Sequence, residues 1–170
     1  MSQSNIFKLS KLYLTTASFF LMISFNVYPA TNSNTFTVTA NINPSCNINA
    51  SNLNFGSYEP LSSTPNDASS TINVTCTNGT NYSVGLNAGT APGATTSSRA
   101  MVGPGSSTLN YNLYSDSSRT TIWGNIGETS VISGTGNGTS QSITVYGRIP
   151  ISQLATSGGY SDTITATVNF

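Results

Sequence analysis

From residue 36 onward the apolar side chains of this chain fall on every second position, stretch after stretch, without the three-to-four spacing of a helix. In the closing run TITATVNF, Ile164, Ala166, Val168 and Phe170 alternate with Thr163, Thr165, Thr167 and Asn169. Successive side chains of an extended chain point to opposite sides, so the pattern makes one oily face and one wet face, a half-buried strand. The same alternation runs through Phe36, Val38, Ala40 and Ile42, and through Cys46, Ile48 and Ala50 ahead of Leu53 and Phe55. It returns in Ile72, Val74 and Cys76, in Tyr82, Val84 and Leu86, in Leu109, Tyr111 and Leu113, and in Ile143, Val145 and Ile149. Roughly seven or eight short strands with turn residues between them predict an all-β sandwich.

Three stretches read as loops between these strands. They are EPLSSTPNDASS (59–70), the Gly- and Pro-rich 87–107, and GETSVISGTGNGTSQ (127–141). Asn78-Gly79 is the dipeptide that a two-residue hairpin turn prefers, and it predicts that strands 72–76 and 82–86 pair directly. The last apolar residue is also the last residue of the sequence, which leaves open what lies against the outer side of the final strand.

The first 30 residues differ in kind. Lys8 and Lys11 precede the apolar run LYLTTASFFLMISF, and NVYPA ends in the small Ala30, the order of a secretory signal peptide. Thr15, Thr16 and Ser18 interrupt the run, which argues against a membrane anchor. With that segment removed, Arg99, Arg119 and Arg148 face Glu59, Asp67, Asp116, Glu128 and Asp162, three positive charges against five negative, or −2. So few cations give no electrostatic hold on a phosphate backbone, and nucleic acid is excluded as a partner.

Two cysteines, Cys46 and Cys76, follow the signal segment. An even pair in an exported chain is expected to form a disulfide, and closing a loop of this length stabilises by about 3.5 kcal/mol in the chain-entropy account. A metal site would need further ligands, and the chain holds no His and no third thiol. Without His, a Ser nucleophile also lacks its usual base. Asp116, Glu128 and Asp162 are the carboxylates that a glycosidase would need in a pair, but each sits beside a turn, where an acid ordinarily caps backbone or meets water. No enzyme activity and no cofactor are expected. Trp123, the single tryptophan, either stacks on a sugar ring or plugs the core, and the second is the commoner use. The glycosylation-like triplets NVT, NGT and NYS arise readily by chance in a chain rich in Asn and Thr.

Taken in order, PSC, LNFG, INVTC, LNYNLYSDSSRTTIWG, YGRIP and GGYSDTITATVNF resemble the spore coat protein U domain, the fold unit of Csu-type archaic chaperone–usher pilins, from about Phe36 to Phe170. The most specific parts are Tyr114, Asp116, Arg119 and Thr120, and the ending from Tyr160 and Asp162 to Phe170. The resemblance implies an incomplete immunoglobulin-like β-sandwich that lacks one strand and is completed by a donor strand from another subunit. A periplasmic chaperone lends that strand first, and the N-terminal strand of a neighbouring pilin subunit replaces it at an outer-membrane usher.

On this reading residues 1–30 are the signal peptide, 31–45 the donor segment and 46–170 the pilin domain. Phe36, Val38, Ala40 and Ile42 are the donor side chains, and Ile164, Ala166, Val168 and Phe170 the edge of the acceptor groove. The expected role is a shaft or minor subunit of a surface fimbrium that supports adhesion and biofilm formation. The alternative is a non-fimbrial coat protein or carbohydrate-binding module. From the residues alone, segment 36–42 equally suits a hairpin into its own domain through Asn43-Pro44-Ser45.

Overall fold

The computed structural model describes residues 24–170, of which 24–39 and 40–170 form two separate units. Most of the expected signal peptide lies outside the described residues; the remainder, 24–30, is neither helix nor strand. Among the described residues no helix is long and apolar enough to cross a membrane. Residues 31–45 also carry no strand, and Phe36, Val38 and Ile42 are 88%, 81% and 84% exposed.

The domain holds eight strands: β1 (Cys46–Ala50), β2 (Asn66–Cys76), β3 (Asn81–Leu86), β4 (Arg99–Val102), β5 (Thr108–Tyr114), β6 (Ile132–Thr135), β7 (Ser140–Ile149) and β8 (Ala166–Asn169). They form a five-stranded sheet in the order β1-β2-β7-β5-β4 and a three-stranded sheet in the order β6-β3-β8. All the pairings are antiparallel. The core lies between the sheets, where Ile72, Val74, Val84, Leu86, Leu113, Val145 and Ile149 are buried, each on the oily side that alternation assigned to it.

Four local expectations give way to this topology. Asn78-Gly79 is a turn, with Gly79 at φ 81°, but β2 and β3 do not pair. The turn instead carries the chain from one sheet to the other, because β2 already has β1 and β7 beside it. Asn66–Ser70, placed in a loop, extends β2 along β7 in register from Asn66↔Ile149. Its polar side chains lie on the outer face or hold neighbouring backbone, so no apolar alternation announces it. The stretch 87–107 contains β4 and a short 3-10 turn at Pro104–Ser106, and 127–141 contains β6. Both are four-residue edge strands, too short to show a period.

Cys46 and Cys76 are disulfide-bonded across β1 and β2, where they face each other in register. Trp123 is fully buried and donates its indole N–H to the Val84 carbonyl at 2.8 Å, so the core use of this residue is the one realised. The YSDSSRT stretch builds a locked turn after β5. Asp116 accepts from the backbone N–H groups of Thr120 and Thr121, while Arg119, at φ 56°, donates to the Gly147 carbonyl at 3.1 Å and lies over the Tyr146 ring.

Asp67 on β2 joins this corner, with Arg148 donating to it at 2.7 and 2.8 Å and the Arg119 guanidinium paired with it as an ion at 3.3 Å. The Arg148 hydrogen bonds, aided by the charge of Arg119, hold the Asp67 carboxyl below the usual carboxylate range. A depressed folded value adds stability above the unfolded value, 3.8, and loses it as pH falls through the folded one. Water screens the pair, so the parent should exceed Asp67→Asn by at most about 1 kcal/mol near neutral pH. Urea midpoints of the two proteins should converge as the pH approaches about 2.

Candidate functional site: an open cleft between β1 and β8

β1 ends one sheet and β8 ends the other; the two strands come close, and a cleft of about 600 Å³ opens beyond them, between the chain leaving β1 and the chain entering β8. Its floor is core: Ile72, Leu86, Leu113 and Val145, with Met101 and Tyr111 toward one end. One wall is the end of β1 and the chain after it, Ala50 to Phe55; the other is Tyr160 to Ala166, running into β8. An apolar floor exposed between two sheet edges is what a sandwich looks like where a strand position is vacant.

The backbone on both rims is unused on the cleft side. Thr165 turns its N–H to the Asn87 side chain and its carbonyl to the Asn87 N–H, on the β3 side. Antiparallel pairing alternates, so Thr167 and Asn169 also face β3, while Ile164, Ala166 and Val168 direct their N–H and C=O groups outward. On β1, Ser51 donates to the Thr71 carbonyl and Ser45 accepts from Thr77. Cys46, Ile48 and Ala50 therefore turn their amides away from β2. Edges of this kind are templates for another strand.

The expected edge residues separate into two groups. Ile164 and Ala166 line the cleft, and Val168 continues the same half-buried face against the core. Phe170 does not join them; it is 56% exposed and stands among Tyr82, Ser133 and Gly134 at the far end of the small sheet. The strand alternation was legible, but where the sheet stops covering it was not.

Other residues noted in the sequence were given no cleft role there. Leu53 and Phe55 form the β1-side wall, folded down onto β7 where Gly147 leaves room: a Cβ there would lie 2.7 Å from the Phe55 ring. Phe55 meets Tyr111 edge-on at 6.0 Å, and the wall is tied to β2 by Ser70, which donates to the Ser51 carbonyl at 2.6 Å, and by Asn66, which donates to the carbonyls of Phe55 and Ser57. On the opposite wall Asp162 accepts from the Tyr111 hydroxyl at 2.7 Å and from the Thr90 N–H and hydroxyl at 2.7 and 2.8 Å. Burial, and then this bond to Asp162, push the Tyr111 hydroxyl far above its ordinary value. Tyr160 donates to the Thr156 carbonyl, is bonded to the Ser107 hydroxyl, and packs on Gly103.

The three carboxylates weighed as a catalytic pair each hold local structure. Asp116 is spent on its turn and Asp162 on Tyr111 and Thr90, while Glu128 accepts from the Thr96 hydroxyl and the Asn125 N–H. No group of three or more candidate metal ligands occurs among the described residues.

Known proteins are similar to this chain in sequence and fold. A chain of the crystallised CsuC–CsuE chaperone–tip adhesion subunit pre-assembly complex, from the archaic chaperone–usher Csu pili of Acinetobacter baumannii, superposes with a TM-score of 0.57 at 28% identity. That match covers 75% of this chain and 40% of the other, so this chain spans less than half the length of that protein. Protein U of Myxococcus xanthus is 32% identical over 156 residues, covering 79% of this chain and 86% of its own. Residues 32–167 match the Spore Coat Protein U domain, and the chain therefore belongs to the Spore Coat Protein U domain family.

Proposed function

We propose that this protein is an exported structural subunit of a chaperone–usher pilus, polymerised by donor-strand exchange. The observation that carries the reading is the pairing of two features in one chain. A cleft with an apolar floor stands at the approach to β8, and the exposed alternating segment Phe36–Val38–Ala40–Ile42 carries no strand of its own. The dimensions agree: four side chains two residues apart span about 20 Å, and so does the cleft wall from Tyr160 to Ala166. Burying Phe36, Val38 and Ile42, with less from Ala40, contributes roughly 5–10 kcal/mol before ordering costs. A row of backbone hydrogen bonds adds to it, as in other strand additions.

Likeness to a Csu pilus chain supports a periplasmic chaperone as the first occupant of the cleft and another subunit as the last, with transfer at an outer-membrane usher. The family is one of structural subunits rather than enzymes. The signal-like first 30 residues and the Cys46–Cys76 bridge suit passage through an oxidising periplasm to the cell surface, where such fibres serve adhesion and biofilm formation.

Deleting residues 31–43 tests the reading. The full chain should form concentration-dependent polymers, whereas the deletion protein should remain single yet bind a synthetic peptide spanning residues 34–44. Polymers of normal length from the deletion protein would overturn donor-strand exchange. A second reading, a coat module complete in itself, draws on the resemblance to Protein U and requires the full chain to stay monomeric at every concentration.

A further inference from the structure

We infer that Asp162 is a positioning residue for strand capture: its carboxylate pegs the β8-side wall of the cleft in extended form before any partner arrives. The inference rests on the donor-strand reading above. Between Tyr160 and the start of β8 the wall has no continuous ladder behind it, only an isolated bridge from Ser161 to Val102 and the paired bonds of Thr165 to Asn87. Asp162 sits between those two points. One carboxylate oxygen accepts from the Thr90 N–H and hydroxyl and from the Thr163 N–H, and the other from the Tyr111 hydroxyl.

The peg therefore reaches both sheets. Tyr111 belongs to β5 in the larger one, and Thr90 lies in the loop leaving β3 in the smaller. Gly89, at φ 88°, is shaped to it, because a Cβ at that position would run into the carboxylate. A charged side chain on the wall of an apolar cleft is costly to desolvate, and filling the vacant strand position needs no charge there. What it supplies is order. A wall held on one side only would fray, and each frayed residue must be straightened during docking, whereas a pre-ordered edge captures a strand at first encounter.

The test uses the full chain carrying Val38→Asp, which disables its own donor segment, and a synthetic peptide of residues 34–44 as the probe. Asp162→Ala should slow peptide association by about tenfold. It should also speed amide exchange of Thr165 and Thr167 by about tenfold relative to the amides of β7. Val74→Ala, a fully buried site outside the cleft, is the control: it should lower the melting temperature at least as much while leaving both relative measures unchanged. Tyr111→Phe removes one bond to the peg, keeps the ring, and should move both measures the same way by about threefold, so the test survives if Asp162→Ala does not fold. Association at the parent rate in both variants, or equal slowing by Val74→Ala, overturns the inference. If the peptide does not bind the parent, the donor-strand reading fails, and unchanged exchange at Thr165 and Thr167 then separately overturns the role of Asp162.

Discussion

Arg99→Met is expected to cost about 3–5 kcal/mol, enough to leave the domain marginal or unfolded. Arg99 has no exposed surface and no carboxylate partner at salt-bridge distance; its guanidinium is spent on four carbonyls. It donates to Leu86 at 2.9 Å and Trp123 at 2.8 Å in the interior, and to Asn87 at 2.9 Å and Thr96 at 2.7 Å nearer the surface. Burial lowers its affinity for the proton, but a guanidinium stays charged at any pH at which the protein folds. Methionine fills the space of the stem and leaves those carbonyls without donors. The loss is structural at a distance too, since Asn87 is the residue that holds Thr165 at the approach to β8. Urea unfolding should show Arg99→Lys between parent and Arg99→Met, because an ammonium has fewer donors and no fork to span four acceptors. A midpoint for Arg99→Met equal to the parent's would show that the carbonyls find other partners.

Trp123→Ala should cost a similar amount, about 3–5 kcal/mol, through a different mechanism. The indole is the largest fully buried side chain and packs within the core cluster of both sheets. Its backbone is fixed on either side: its N–H donates to the Leu113 carbonyl, and its own carbonyl takes the Arg99 bond. Truncation opens a cavity that this framework cannot collapse into. Trp123→Phe separates the two contributions, since it keeps most of the volume and removes the indole donor from the Val84 carbonyl, for about 1–2 kcal/mol. Calorimetric melting of the three proteins checks the order parent, Phe, Ala.

Strand faces were read from the chain with little loss because alternation is a local property: Ile72, Val74, Leu113 and Val145 needed no knowledge of their neighbours to be placed inward. Short strands escaped. Four residues such as Ile132–Thr135 carry at most two inward positions, which no period can distinguish from a loop. Pairing escaped as well. Asn78-Gly79 makes the turn its chemistry demands, but a turn does not specify whether the two strands it joins stay in one sheet.

Arg99 and Asp162 were both noted in the sequence, but their structural roles escaped for a further reason. One is a lone cation between Ser98 and Ala100, the other a lone acid between Ser161 and Thr163, and their partners stand up to 24 and 72 positions away in the chain.

The string of residues alone settled that this is a β-sandwich, which side of each long strand is oily, that two cysteines stand ready to bridge, and that an alternating segment precedes the first strand. Folding in three dimensions decided which edges remain unpaired, where the cleft opens, and which buried polar groups hold its walls. Side-chain alternation is set within a few bonds, whereas the cleft is a relation between the chain leaving β1 and the chain entering β8, far apart in sequence, and exists only once both sheets have closed on their core.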